Sequence, residues 1–175
     1  FAGNFKTAHR KGVDFLSGYC AVKPAPSDIV ITTNGGYPLD QNAYQCPKGM
    51  SAAEATVNDG GVIIMLATCQ DGHGGESYYH SIADAESADA FFQQCLHTPQ
   101  VETLPDQWCA QIWCRIVRKY KVLFVADKAQ EQLIRDLKVE YFETLDEAYA
   151  RARELKGPDA TLACIPNGVS VVVKD

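Results

Sequence analysis

The run Val62, Ile63, Ile64, Met65, Leu66 and Ala67 is apolar at every position. A strand with one wet face alternates apolar and polar residues. An unbroken apolar run suits a strand covered on both faces, as central strands of parallel sheets are. Parallel neighbours in turn require crossover connections, usually helices.

The rest of the chain supplies both. Further strands are predicted at 28–33, closed by Asn34, Gly35 and Gly36, and at 121–126 and 139–142. Helical patterns fall at about 5–21, 76–83, 88–96, 129–137 and 144–156, with Gly157 and Pro158 as a clean stop. Ser51 and Glu54 read as a capping box that starts a helix running to about 58, where Gly60 and Gly61 end it. Residues 43–46 suggest one helical turn that Pro47 strains or ends. Pro105 and Asp106 open a longer helix to about 120, with an apolar stripe through Trp108, Cys109, Ile112, Trp113, Ile116, Val117 and Tyr120. Segments 161–164 and 169–173, joined by Ile165, Pro166, Asn167 and Gly168, suggest a terminal strand pair. The pattern as a whole predicts an α/β fold: a largely parallel sheet covered by helices, a Rossmann-like three-layer sandwich, with one domain over 1–175.

Charge narrows the function classes. Lys and Arg number 16 against 22 Asp and Glu, for a net charge of −6. Nucleic-acid binders and proteins of anionic membrane surfaces need a cationic face, so neither partner is expected. The cysteine count of 7 is odd, and no pair has C-x-x-C spacing. That argues against a disulfide framework or a zinc knuckle and for reduced, buried thiols in a cytoplasmic protein. No apolar run is long enough to span a bilayer. The chain opens on Phe1 without a secretory pattern and reads as a piece of a longer polypeptide.

In α/β folds ligands bind beyond the carboxyl ends of the strands. That rule singles out two loops. In the first, Gly35 and Gly36 permit close backbone approach to a ligand. Tyr44, Gln45 and Lys48 follow at spacings that put their polar tips on one helical face. A phenol, an amide and an ammonium suit a small carboxylate or hydroxy acid, although the same residues also suit a solvated helix. The second loop holds Asp71, Gly72, His73, Gly74, Gly75 and Glu76 ahead of a helix, a weak match to a dinucleotide fingerprint. His73 there is an acid–base or ligand candidate, or a hydrogen-bonded structural group. Cys46 lies two residues before Lys48, which could lower its pKa, but no histidine nearby completes a nucleophile pair. Trp108 either packs in the core or roofs a ligand.

One stretch is more specific. The run from Asn34, Gly35, Gly36, Tyr37, Pro38, Leu39 and Asp40 to Tyr44, Gln45, Lys48 and Gly49 resembles the C-terminal domain of the nickel-dependent lactate racemase family. So do Gly60 through Ile64, the 71–76 loop, and Asp106, Gln107 and Trp108. The resemblance implies a two-domain enzyme that racemises or epimerises a small 2-hydroxy acid by proton-coupled hydride transfer on a nickel-pincer nucleotide. It places the cofactor lysine, the metal-binding histidine and the catalytic histidines in an N-terminal domain absent from this chain. This domain then partners its own N-terminal domain. It is expected to be inactive alone, with no catalytic or metal-binding residue and no bound cofactor. Residue by residue, Tyr44, Gln45 and Lys48 correspond to groups reaching into the interdomain cleft, and Trp108 to an aromatic beside the substrate's alkyl end. Gly35, Gly36, Asp71 and His73, from the two loops, are candidate loop contacts only, and the resemblance assigns His73 no catalytic role. Pro47 departs from the pattern and is expected to redirect the backbone before Lys48. A stand-alone nucleotide- or carboxylate-binding module is the alternative.

Overall fold

Ile63 and Met65 pack to one side of the central strand, Val62 and Ile64 to the other, and both sides are dry. The computed structural model describes residues 1–174. In chain order the elements are α1 (Phe5–Cys20), β1 (Ala21–Val22), β2 (Ser27–Thr33), α2 (Pro47–Glu54), β3 (Val57–Leu66), α3 (Glu76–Ala83), α4 (Ala88–His97), α5 (Gln107–Val117), β4 (Lys121–Val125), α6 (Glu131–Asp136), β5 (Glu140–Phe142), α7 (Leu145–Lys156), β6 (Leu162–Ile165) and β7 (Val172–Val173). A five-stranded sheet has the order β5-β4-β3-β2-β6, and every pairing among the described residues is parallel.

Three layers follow from the two-residue period of the strands. Val30, Ile63, Met65, Val122 and Phe124 face a core closed by α2 to α6, with Tyr78, Trp113 and Ile134 as its large buried members. Ile29, Val62, Ile64, Leu123 and Val125 face α7, whose Ala148 and Ala152 are fully buried and small enough to let the helix sit close. The Trp113 indole donates to the Leu137 carbonyl at 2.9 Å, so the largest core side chain leaves no polar atom unpaired.

Four expectations are corrected. The helix expected at 51–58 lies at Pro47–Glu54. Ser51 is inside it, donating from its hydroxyl to the Pro47 carbonyl at 2.7 Å, and caps nothing. Pro47 opens the helix at its first position, where a missing N–H goes unused, rather than ending a turn. Gly60 and Gly61 do not stop a helix; they lie inside β3, where the register against β2 shifts between Ser27 and Ile29 and Gly60 takes φ 68°. A small strand pair does close the chain, but its partners differ from the sequence reading. β6 joins the main sheet beside β2, and β7 pairs with β1. Long-range side-chain bonds explain the choice. Asp28 accepts from the Thr161 amide and hydroxyl, and Thr33 donates to the Pro166 carbonyl. Those bonds hold both ends of β6 against β2.

The capping box that does form is Thr144 with Glu147 at the start of α7. Helix α1 lies where its periodicity predicts, capped by Asn4, but none of its residues is buried. Phe5, Val13, Phe15, Leu16 and Tyr19 are all exposed. No helix among the described residues is long and apolar enough to cross a membrane. All seven thiols are free. Cys46, Cys69, Cys109 and Cys114 are buried, whereas Cys164 is exposed on the edge strand despite its apolar neighbours.

Candidate functional site

The site is built on the fully buried Asn34, just past the end of β2. Its side-chain amide donates to the carbonyls of Leu39 and Gln45, both at 2.8 Å, and its Oδ1 accepts the Gly49 N–H at 3.0 Å. One side chain thereby fixes the loop after β2, the 3-10 turn Ala43–Gln45 and the first turn of α2. Gln45 and Lys48 are presented from those last two pieces. The Lys48 ammonium donates to the Gln45 side-chain oxygen, so those two polar tips meet, whereas the Tyr44 hydroxyl is directed at Asp106.

Tyr44 and Trp108 complete the arrangement. Their rings meet edge to face at 6.2 Å, and Tyr44 makes a second such contact with buried Tyr78 at 5.4 Å. Trp108 lies in the first turn of α5 and is 59% exposed, so its core role passes to Trp113. Tyr44, Pro47, Lys48, Ser51, Trp108, Cys109 and Ile112 line a cleft of about 90 Å³. A separate, wider crevice of about 300 Å³ runs over the carboxyl ends of β2, β3 and β4, lined by Thr33, Gly36, Asp40, Thr68, Asp127 and Glu143 among others. The Tyr44 hydroxyl donates to Asp106 at 3.1 Å. Desolvation and that bond push the phenol up to about 12.

The 71–76 loop joins the same end of the sheet. The Ala43 and Tyr44 amides donate to the carbonyls of Gly72 and His73, each at 3.1 Å. His73 is held on several sides. Its Nδ1 accepts the Gly75 N–H at 3.1 Å, its ring stacks on Tyr79 at 5.1 Å, and its Nε2 lies 3.6 Å from Glu76. Asp71 is exposed, its amide donating to the Gln41 carbonyl. The two glycines of the first loop differ. A side chain at Gly35 would meet Asn167 at 2.7 Å, while Gly36 opens onto the wider crevice. Cys46 is fully buried, and desolvation, with Cys69 beside it, pushes its thiol well above the ordinary range. Lys48 does not lower it, because the thiol lies under the turn and Lys48 above it in solvent.

Tyr44, Gln45, Lys48, Trp108 and the 71–76 loop therefore converge. A family model described as lactate racemase C-terminal domain matches residues 22–173. The chain belongs to that family. It is 48% identical over 174 residues to a lactate racemase of Lactiplantibacillus plantarum, covering 99% of this chain and 41% of that protein. It is 45% identical over 175 residues to a lactate racemase of Thermoanaerobacterium thermosaccharolyticum, covering 100% of this chain and 41% of that one. The solved structure of the lactate racemase apoprotein from the latter organism matches with a TM-score of 0.94 at 44% identity, covering all of this chain and 42% of that one. This lactate racemase C-terminal domain thus spans about two fifths of the length of its curated relatives. Helix α1 falls outside the matched family segment.

Two residues of the site escaped sequence reasoning. Asn34 was legible only as part of a glycine-rich turn, and its buried pin role depends on a partner 15 residues away. Asp106 was read as a helix opener, yet its carboxylate reaches Tyr44, 62 residues earlier in the chain.

Proposed function

We propose that this chain is the C-terminal domain of a cytoplasmic 2-hydroxyacid racemase or epimerase and forms one wall of an interdomain cleft over the substrate. The observation that carries the reading is the convergence of Lys48, Gln45, Tyr44 and Trp108 at the carboxyl ends of the strands, in a chain that spans 41% of its lactate racemase relatives. The unburied apolar stripe of α1 supports coverage by another part of a longer polypeptide.

The roles follow from the side chains. Lys48 supplies a positive charge for a substrate carboxylate or a cofactor phosphate, and Gln45 holds its ammonium in place. Trp108 offers an apolar wall to the substrate's alkyl group. When the cleft closes, water leaves it and the lysine's field strengthens. Among the described residues no group of three His, Cys, Asp or Glu is placed to hold a metal ion. The donor set here fits the anionic end of a nickel-pincer nucleotide or of the substrate, not the metal. That cofactor, when bound, supplies the hydride acceptor, and the proton-accepting bases belong to the remainder of the enzyme.

Lys48→Ala in the full-length enzyme tests the reading. Loss of a preorganised charge in a closed cleft lowers turnover of lactate by about two to three orders of magnitude. A wild-type rate would return Lys48 to the role of a solvated helix residue. The competing reading, a stand-alone binding module, requires a polypeptide with no further domain. The 41% coverage of both relatives speaks against it.

A further inference from the structure

We propose that the slot between α2 and α5 receives the substrate's tail and that Ile112, at its far end, sets how long an alkyl chain the enzyme accepts. The inference rests on the reading of the cleft given above, with Lys48 taking the substrate carboxylate.

Helix α2 leads into β3 and helix α5 into β4, both strands of one parallel sheet, so both helices start at its carboxyl end. Lys48 and Trp108 each stand in a first turn there. Ser51 and Ile112 follow them by three and four residues, on the same helix faces. Four residues of α5 advance about 6 Å along its axis. The cleft of about 90 Å³ is lined at both levels, by Lys48 and Trp108 and by Ser51 and Ile112. That space equals the volume of about three water molecules.

The far wall is firm. Ile112 is partly buried and packs against the main core while lining the cleft. A β-branched side chain inside a helix keeps essentially one rotamer, so Ile112 cannot swing aside for a longer tail.

The side-chain donors along the slot are already committed. The Ser51 hydroxyl donates to the Pro47 carbonyl at 2.7 Å, the Cys109 thiol to the Tyr44 carbonyl at 3.4 Å, and the Tyr44 hydroxyl to Asp106 at 3.1 Å. Burial pushes the Cys109 thiol up to about 12, so it stays neutral. Lys48 gives one proton to Gln45, and an ammonium has three. The slot therefore has one cation at its mouth and walls without a free side-chain donor. A carboxylate belongs at the mouth, and what enters beyond it must be apolar. A second carboxylate on the tail would lose its water there and find no partner. The 2-hydroxyl and the α-hydrogen are left to the bases and the cofactor of the remaining domain.

The test compares the full-length enzyme with its Ile112→Val and Ile112→Ala variants on lactate and on 2-hydroxybutyrate, whose tail is one methylene longer. Both acids are read on the same sample, so any loss of folded protein cancels from the ratio of their kcat/KM values. The ratio of 2-hydroxybutyrate to lactate rises about tenfold or more in Ile112→Ala, the scale of one methylene in an apolar pocket. It rises part of the way in Ile112→Val, which decides the matter where Ile112→Ala yields no folded enzyme. Charge is separated from size in the widened slot. There 2-hydroxy-4-methylpentanoate competes with lactate at least about tenfold better than malate, whose tail has a similar shape and a second carboxylate. An unmoved ratio, or an equal loss on both acids, overturns the role of Ile112. Equal competition by malate overturns the apolar character of the slot. If Lys48→Ala also keeps its wild-type rate, the reading of the cleft itself has failed; if Lys48→Ala is impaired, that reading stands without the slot.

Discussion

Asn34 Oδ1 accepts the backbone N–H of Gly49 at 3.0 Å, and through that bond the end of a strand sets where the Lys48 helix begins. A helix's first amides have no partner within the helix. Here one of them is satisfied by a buried amide side chain that also holds the two preceding carbonyl segments.

Removing that side chain leaves the buried Gly49 amide and the part-buried Leu39 and Gln45 carbonyls without their partner. Asn34→Ala is expected to lower unfolding free energy by about 2–4 kcal/mol, each orphaned group contributing on the scale of 1–3 kcal/mol before relaxation. Urea unfolding measures it. A loss under about 1 kcal/mol would mean that water or a backbone shift replaces the pin.

Gly49→Ala separates propensity from packing. In an exposed helix the change gains about 1 kcal/mol. At Gly49 a Cβ would stand 2.5 Å from Asn34 Oδ1 and 3.0 Å from the Thr33 carbonyl oxygen. Neither is a flexible tip, so the sign reverses and the variant is destabilised by about 1–3 kcal/mol. A raised melting temperature would contradict the close packing.

Trp108→Ala should leave stability within about 0.5 kcal/mol, because most of the ring is already in solvent. In the full-length enzyme it should shift the preference between lactate and a bulkier 2-hydroxy acid by about 1–3 kcal/mol. Paired kcat/KM values for the two substrates decide; an unchanged ratio removes Trp108 from the substrate wall.

Acid should loosen the opposite end of the sheet first. Hydrogen bonds from Asn58 and then Thr161 lower the Asp28 carboxyl from 3.8 to about 2. A depressed carboxylate stabilises the fold while it is ionised. Its contribution is complete above the unfolded-state value and is lost as pH falls through the folded one, a window of about pH 4 to 2. Urea midpoints across that window should fall more steeply for the parent protein than for Asp28→Asn. Parallel curves would show that Asp28 is not the group titrating.

The layers were legible in the sequence because both faces of a buried strand write their own pattern. Ile63 and Met65 against Val62 and Ile64 need no partner's identity to be read. Glycine was the ambiguous letter. Gly60 and Gly61 interrupt a helix and a bulged strand alike, and only the register against β2 decides between them. Spacing correctly joined Gln45 to Lys48, three residues apart on one turn. It could not find Asn34 or Asp106, whose partners are near only after the chain has folded.

Helix α1 has a consequence for how the chain melts. It is 16 residues long with no buried side chain, close to the length at which an isolated helix is marginal in water. The Asn4 cap contributes about 1 kcal/mol, too little to make up for absent packing. In the separated chain its turns should therefore unwind gradually and independently of the cooperative loss of the sheet. Wherever an apolar surface lies across Phe5, Phe15, Leu16 and Tyr19, the same turns become part of the cooperative unit. The ellipticity of this one segment then reports whether that surface is in contact.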